Sequence, residues 1–217
     1  MKLYAISGLG ADHRVYNQLH LNCPVEHLPW LEPKKNEPIE LYAKRMADQI
    51  QDNGAFGIMG ISFGGIVAVE MSKLLKPQLT ILISSVETKK ELPLLYRFFG
   101  MTRIITLIPH FFFIPPKRLM HWVFGARNKG LLSAILNDAD PRFTRWALQA
   151  LCSWRNQQAL TNPVLRIGGS KDKLLPPQYT GESNILDGGE HFMIVDRAEE
   201  ISRIINTELE STSLNVV

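Results

Sequence analysis

The 217-residue chain has only two cysteines, Cys23 and Cys152. Two thiols cannot build a disulfide scaffold, and no short Cys spacing suggests a zinc site. The pair is read as belonging to a reducing compartment, and a cytoplasmic location is expected. The N-terminus has no long apolar stretch followed by a small-residue cleavage site, so no secretory signal is expected. Long hydrophobic runs are also missing. The most apolar one, Ile104 to Pro116 ("IITLIPHFFFIPP"), falls short of the roughly 20 residues a bilayer needs and is broken by proline. It is expected to form a buried or pocket-lining helix and turn, and membrane contact is not expected. The net charge of +3 is too small to argue for nucleic acid. There are no internal repeats and no low-complexity tracts. With 45% hydrophobic and 21% charged residues, the chain is an ordinary globular domain.

What is present alternates. Lys2–Ser7 is a short apolar run ended by "GLG" and predicts a buried strand and tight turn. In "ADHRVYNQLH", Asp12 suits an N-cap, with Val15, Tyr16 and Leu19 on one helical face. Val25–Leu28 suggests a strand, and "EPKKNEP" a loop. Pro38–Gln51 predicts a helix, with Leu41, Met46 and Ile50 near helical spacing. Phe56–Met59 is a strand, Phe63–Lys76 a helix stopped by Pro77, and Leu79–Val86 a strand. From 87 to 160 no strand is evident. Aromatics, leucines and arginines recur at helical spacing, which predicts a helical insertion. Strands resume at Val164–Gly168 and Asn184–Leu186, with a turn or short helix at Pro176–Tyr179. Glu199–Leu209 predicts an amphipathic helix with Ile201, Ile204, Ile205 and Leu209 inward, followed by a loose tail. Such alternation implies a mostly parallel sheet covered on both faces, with the site at the carboxyl ends of the strands.

Three segments at such ends carry chemistry. Gly60-Ile61-Ser62-Phe63-Gly64 fits G-x-S-x-G between a strand and a helix, where a tight turn would present Ser62 as nucleophile. Serine needs a neighbouring base. Of the six histidines, His191 in "LDGGEHFMIV" sits in a glycine-led loop before the last helix. Asp172 in "VLRIGGSKDKLLPP" follows a buried strand and suits the carboxylate that orients the imidazole; Asp187 is its nearest rival. Each residue alone has a bland alternative: a structural serine, a solvated histidine, a turn aspartate. The order Ser62, Asp172, His191 selects among the serine-triad folds. The backbone N–H groups of Leu9, in Ser7-Gly8-Leu9-Gly10, and Phe63 are the expected oxyanion donors.

"SGLGAD", "GISFGG", "GGSKD" and "GGEHF" together resemble the α/β-hydrolase superfamily over almost the whole chain except the insertion. Within it the chain resembles compact lidded esterases and thioesterases related to the biotin-pathway methyl esterase. The same group holds the menaquinone-pathway lyase, which uses a similar triad for elimination. Two departures stand out. Ser7 occupies the place of the histidine in the His-Gly-x-Gly loop of many relatives. The chain also begins on the strand leading into that loop, without the two strands that usually precede it. The resemblance therefore implies an α/β fold with a mostly parallel sheet reduced to about six strands. The core would be 1–86 and 161–217, with a helical lid at 87–160. It implies cleavage of an ester or thioester through an acyl-enzyme, with no metal or organic cofactor. A lyase using the same triad, or a non-enzymatic binding protein on the same fold, are the alternatives.

Segment 87–160 holds eleven basic and four acidic residues, a formal charge of 11 − 4 = +7. Such charge suits either a solvated surface or the steering of an anionic or carrier-bound substrate. Its aromatics, Phe98, Phe99, Phe111, Phe112, Phe113, Trp122 and Phe124, are expected to pack the lid, with some lining an acyl pocket.

Overall fold

The computed structural model describes residues 1–51, 54–102, 116–180 and 184–214. Six strands form one all-parallel sheet: β1 (Lys2–Ile6), β2 (Val25–His27), β3 (Phe56–Ile61), β4 (Leu79–Ile83), β5 (Val164–Gly169) and β6 (Asn184–Leu186). Their order is β2-β1-β3-β4-β5-β6. The chain starts one strand in from an edge, steps to that edge, crosses back, and then runs outward to the other edge. Successive side chains of a strand point to opposite faces, so each strand feeds two cores. Leu3, Ala5, Met59, Ile61, Ile81, Ile83, Leu165 and Ile167 face one side; Tyr4, Ile6, Ile58 and Leu82 face the other.

Helices cover both faces. Helix α1 (Ile39–Ala47) and α2 (Phe63–Leu75) cover one side. The buried face of α1 is Ile39, Tyr42, Ala43, Met46 and Ala47, an i, i+3, i+4, i+7, i+8 stripe. Leu41 lies one step off this stripe and is exposed. Helix α2 ends where Lys76 adopts the left-handed conformation just before Pro77.

Between β4 and β5 come α3 (Leu94–Thr102), α4 (Lys117–Phe124), α5 (Lys129–Asp138) and α6 (Pro141–Ser153), with no strand among the described residues of this segment. Asn128 and Asp140 cap α5 and α6 by accepting from Leu131 and Arg142 backbone N–H groups. These helices belong to both cores. Leu132 and Ile135 of α5 join one cluster; Phe143, Trp146, Ala147 and Ala150 of α6 join the other. Trp154, just past α6, donates its indole N–H to buried Glu70 of α2 at 2.7 Å. The chain closes with α7 (Pro177–Thr180), α8 (Met193–Asp196) and α9 (Ala198–Leu214).

Several boundaries differ from expectation. The segment after β1 makes only a one-turn 3-10 helix, His13–Tyr16, although Asp12 does cap it through Arg14 N. Asp12 also holds the Arg14 guanidinium at 2.7 Å, so the cap is shared with an ion pair. β3 runs two residues further than expected, to Ile61, and β4 stops three residues earlier, at Ile83. The tail expected to be loose continues α9 through Leu214. In α9, Ile201, Ile205 and Leu209 are buried and Ile204 is partly buried. The Ile104–Pro116 run, Phe111, Phe112 and Phe113 fall outside the described residues, apart from Pro116. No described helix is long and apolar enough to cross a membrane.

Candidate active site

Ser62 lies between β3 and α2 at φ 52° and ψ −123°, a left-handed conformation that a non-glycine residue adopts only when its surroundings impose it. Two contacts impose it here. The Ser62 N–H donates to Ile83 O at 3.0 Å, and its carbonyl accepts from Ser85 Oγ at 2.7 Å. The turn also brings α2 against β1 so closely that a Cβ on Gly64 would sit 2.0 Å from Ser7 O. Only glycine fits at that crossing. Ser85, which follows β4, was not among the residues singled out from the sequence; no local pattern marks a serine whose partner is 23 residues away.

The structure brings Ser62, His191 and Asp172 into one line. His191 Nε2 lies 2.9 Å from Ser62 Oγ, and His191 Nδ1 lies 2.7 Å from Asp172 Oδ2. Asp172 Oδ1 accepts from the backbone N–H groups of Leu174 and Leu175, both at 2.9 Å. Both His191 and Asp172 are 3% exposed, so the pair is shielded from water. Burial pushes the Asp172 carboxyl up. The His191 ring and the hydrogen bonds from His191, Leu175 and Leu174 outweigh it and hold the group below the usual carboxylate range. An ionised carboxylate accepts only, so Nδ1 of a neutral His191 carries the proton and donates it to Asp172, leaving Nε2 to accept from Ser62 Oγ–H. Asp187 stands apart: it is exposed, and it accepts from Ser170 Oγ at 3.1 Å.

The loop carrying His191 is pinned from the insertion. Phe192 N donates to Phe124 O at 3.0 Å, and the Phe124 ring meets His191 edge-on at 5.4 Å. Arg127 N and Asn128 N both donate to the Asp196 carboxylate, at 2.7 and 3.0 Å. Lys173, next to Asp172, pairs with Glu190, next to His191. These contacts tie together the loops that supply the imidazole and the carboxylate.

Leu9 follows β1, and its loop runs alongside Ser62: a Cβ on Gly8 would lie 3.7 Å from Ser62 Cβ. Phe63 is the first residue of α2, where backbone N–H groups have no intrahelical acceptor. Ser7 donates to Ala11 O at 2.7 Å and so closes the loop on itself. Beneath this arrangement is a cavity of about 300 Å³, at the small end for a small-molecule site. Ile66, Met120, Val123, Phe124, Leu148, Leu151, Leu174 and Leu175 form its apolar wall, and Tyr96 and Thr144 add hydroxyls. No Lys, Arg, Asp or Glu lines it among the described residues. Of the insertion aromatics singled out from the sequence, Phe124 reaches this wall. Phe98 and Trp122 are instead exposed, at 53% and 64%. Trp122 has Lys173 Nζ over its ring at 5.5 Å. Among the described residues no cluster of three or more His, Cys, Asp or Glu could hold a metal ion.

No protein-family model matches the chain, and no curated protein sequence matches it significantly. Solved structures do match. A thermophilic esterase from Thermogutta terrifontis superposes with a TM-score of 0.73 at 15% identity, over 98% of this chain and 90% of that one. The fold is that of the α/β hydrolases. Two further matches to this α/β-hydrolase fold come from biosynthetic thioesterases. One is a type II thioesterase of the yersiniabactin NRPS/PKS pathway, with a TM-score of 0.67 at 16% identity over 97% and 93% of the two chains. The other is the thioesterase of the prodiginine pathway in Streptomyces coelicolor, with a TM-score of 0.65 at 16% identity over 96% and 90%. The six-stranded parallel sheet with helices on both faces, expected from the alternation of elements, is thus an α/β-hydrolase sheet in reduced form.

Proposed function

We propose that the protein is a serine hydrolase that cleaves a carboxylic ester or thioester through an acyl-enzyme, with Ser62, His191 and Asp172 as its triad. The observation that carries this reading is the buried hydrogen-bonded line from Asp172 through His191 to Ser62, opening onto an apolar cavity. In the first step Ser62 Oγ attacks the acyl carbonyl while its proton passes to His191 Nε2. Asp172 stabilises the imidazolium. The tetrahedral oxyanion is held by the N–H groups of Leu9 and Phe63. Collapse breaks the bond to the leaving oxygen or sulfur, which takes the proton from His191. Water then enters, loses a proton to His191, and attacks the acyl-enzyme; the acid leaves and Ser62 recovers its proton.

The apolar wall suits an uncharged acyl group. It gives no support to the lyase alternative, which would need basic residues against substrate carboxylates. A pure binding role leaves the strained serine and its hydrogen-bonded line without purpose. Helices α3–α6 act as the lid of the 87–160 insertion over the 1–86 and 161–217 core. Thioesterases among the structural matches support a thiol as leaving group, and the exposed Lys117 and Arg118 of α4 suit an anionic or carrier-bound substrate. The test is a fluorophosphonate probe with peptide mapping by mass spectrometry. Labelling at Ser62, lost in Ser62→Ala, is expected. Absence of labelling on folded protein overturns the proposal.

A further inference from the structure

Tyr96 stands out in the cavity wall. It projects from α3 into a space otherwise built from aliphatic and aromatic carbon, Thr144 and the Ser62–His191 pair. Its hydroxyl has no hydrogen-bond partner among the described residues, whereas buried Tyr16 donates to Ile6 O at 2.7 Å and buried Tyr42 to Leu31 O at 2.8 Å. A phenol that faces a cavity without a protein acceptor must take its acceptor from whatever occupies that cavity. Thr144 differs in this respect. It lies within α6, and a helical threonine can turn its hydroxyl back to the carbonyl one turn earlier, so it needs nothing from a ligand. A tyrosine ring has no such recourse.

Resting on the hydrolase reading of this site, we infer that Tyr96 is a specificity-determining residue, donating a hydrogen bond to a hydroxyl or keto oxygen on the substrate's acyl chain. Burial first, and then the nearby Asp172 charge, push the phenol up to about 12, so it stays a neutral donor across the working pH range. The acyl chain this cavity takes is therefore uncharged, mostly hydrocarbon, and oxygenated at one position along its length. A plain chain of equal length would take the Tyr96 hydroxyl out of solvent without offering it an acceptor, and so binds less well.

Two measurements on the full chain test this. The first is kcat/KM for p-nitrophenyl octanoate and for analogues with one hydroxyl or keto group moved from carbon 3 to carbon 7. The second is calorimetric binding of the matching uncharged octanamides, which are scored whether or not the protein hydrolyses esters. At one position the oxygenated ligand should be preferred by about tenfold or more, and in Tyr96→Phe that ratio should fall to near one. Any general loss of activity in the variant cancels in the ratio. A wild type with no preference at any position, or a preference retained in Tyr96→Phe, overturns the inference. Failure of the hydrolase reading would appear separately, as no ester turnover beside an intact binding preference.

Discussion

Asp172→Asn separates the proposed triad's chemistry from its architecture. The two carboxylate oxygens have different tasks: Oδ1 takes the N–H groups of Leu174 and Leu175, and Oδ2 takes His191 Nδ1. In the variant, the amide oxygen is held by the two backbone donors, which turns the amide nitrogen toward His191. That nitrogen only donates, so Nδ1 must become the acceptor and the proton moves to Nε2. Nε2–H cannot take the proton from Ser62. The expected loss in kcat is about 10⁴-fold, or about 5.4 kcal/mol of transition-state stabilisation. The fold should survive, because both backbone bonds at Oδ1 persist; unfolding in urea should show a loss of about 1–2 kcal/mol. The assay is p-nitrophenyl ester turnover with the active sites counted by a stoichiometric inhibitor. Asp187→Asn, on an exposed residue bonded to Ser170, is the control and should change kcat less than about twofold. If Asp172→Asn keeps activity within about tenfold of wild type, the tautomer argument fails and with it the role of Asp172.

Other outcomes follow from the same geometry. Gly64→Ala places a methyl 2.0 Å from Ser7 O and 2.5 Å from Ile6 O, both backbone atoms; urea denaturation should show about 3 kcal/mol or more lost, and a cost below about 1 kcal/mol would contradict the packing. Leu148→Trp fills part of the cavity wall, so the octanoyl-to-acetyl ratio of kcat/KM should fall at least about tenfold. Asp172 sits below its usual 3.8 when folded, so the unfolded chain binds its proton more readily; its stabilisation is present above that value and disappears as pH falls through the lower native one. Between about pH 6 and pH 3, wild type should therefore lose more unfolding free energy than Asp172→Asn.

The sheet was legible because its strands are short apolar runs flanked by glycine or proline, and every one of the six was placed to within three residues. The candidate site residues could be picked out by order and by their position at strand ends, since Ser62, Asp172 and His191 each follow a strand, and the structure brings the three together. What escaped was set by tertiary contacts. Ser85 and the Leu174 and Leu175 amides work through partners that no local pattern reveals. Leu41 is exposed because it sits beside, not on, the stripe that Ile39, Tyr42 and Met46 define. The segment after Asp12 keeps only one helical turn because Tyr16 is drawn to Ile6 O and Arg14 to Asp12 and Asp138. Tyr96 carried no signal at all: a tyrosine near helical leucines reads as core until its hydroxyl is seen to lack a partner.

The way α5 and α6 divide between the two cores bears on how this protein could be re-engineered. Leu132 and Ile135 sit on one side of the sheet, and Phe143 and Trp146 on the other. Helices α5 and α6 therefore sit astride the sheet like a saddle, and each contributes to one of the two hydrophobic interiors. Exchanging the whole segment for that of a different protein of this fold would open the two interiors at once. Specificity is better altered through single residues on the underside of the saddle than by transplanting it.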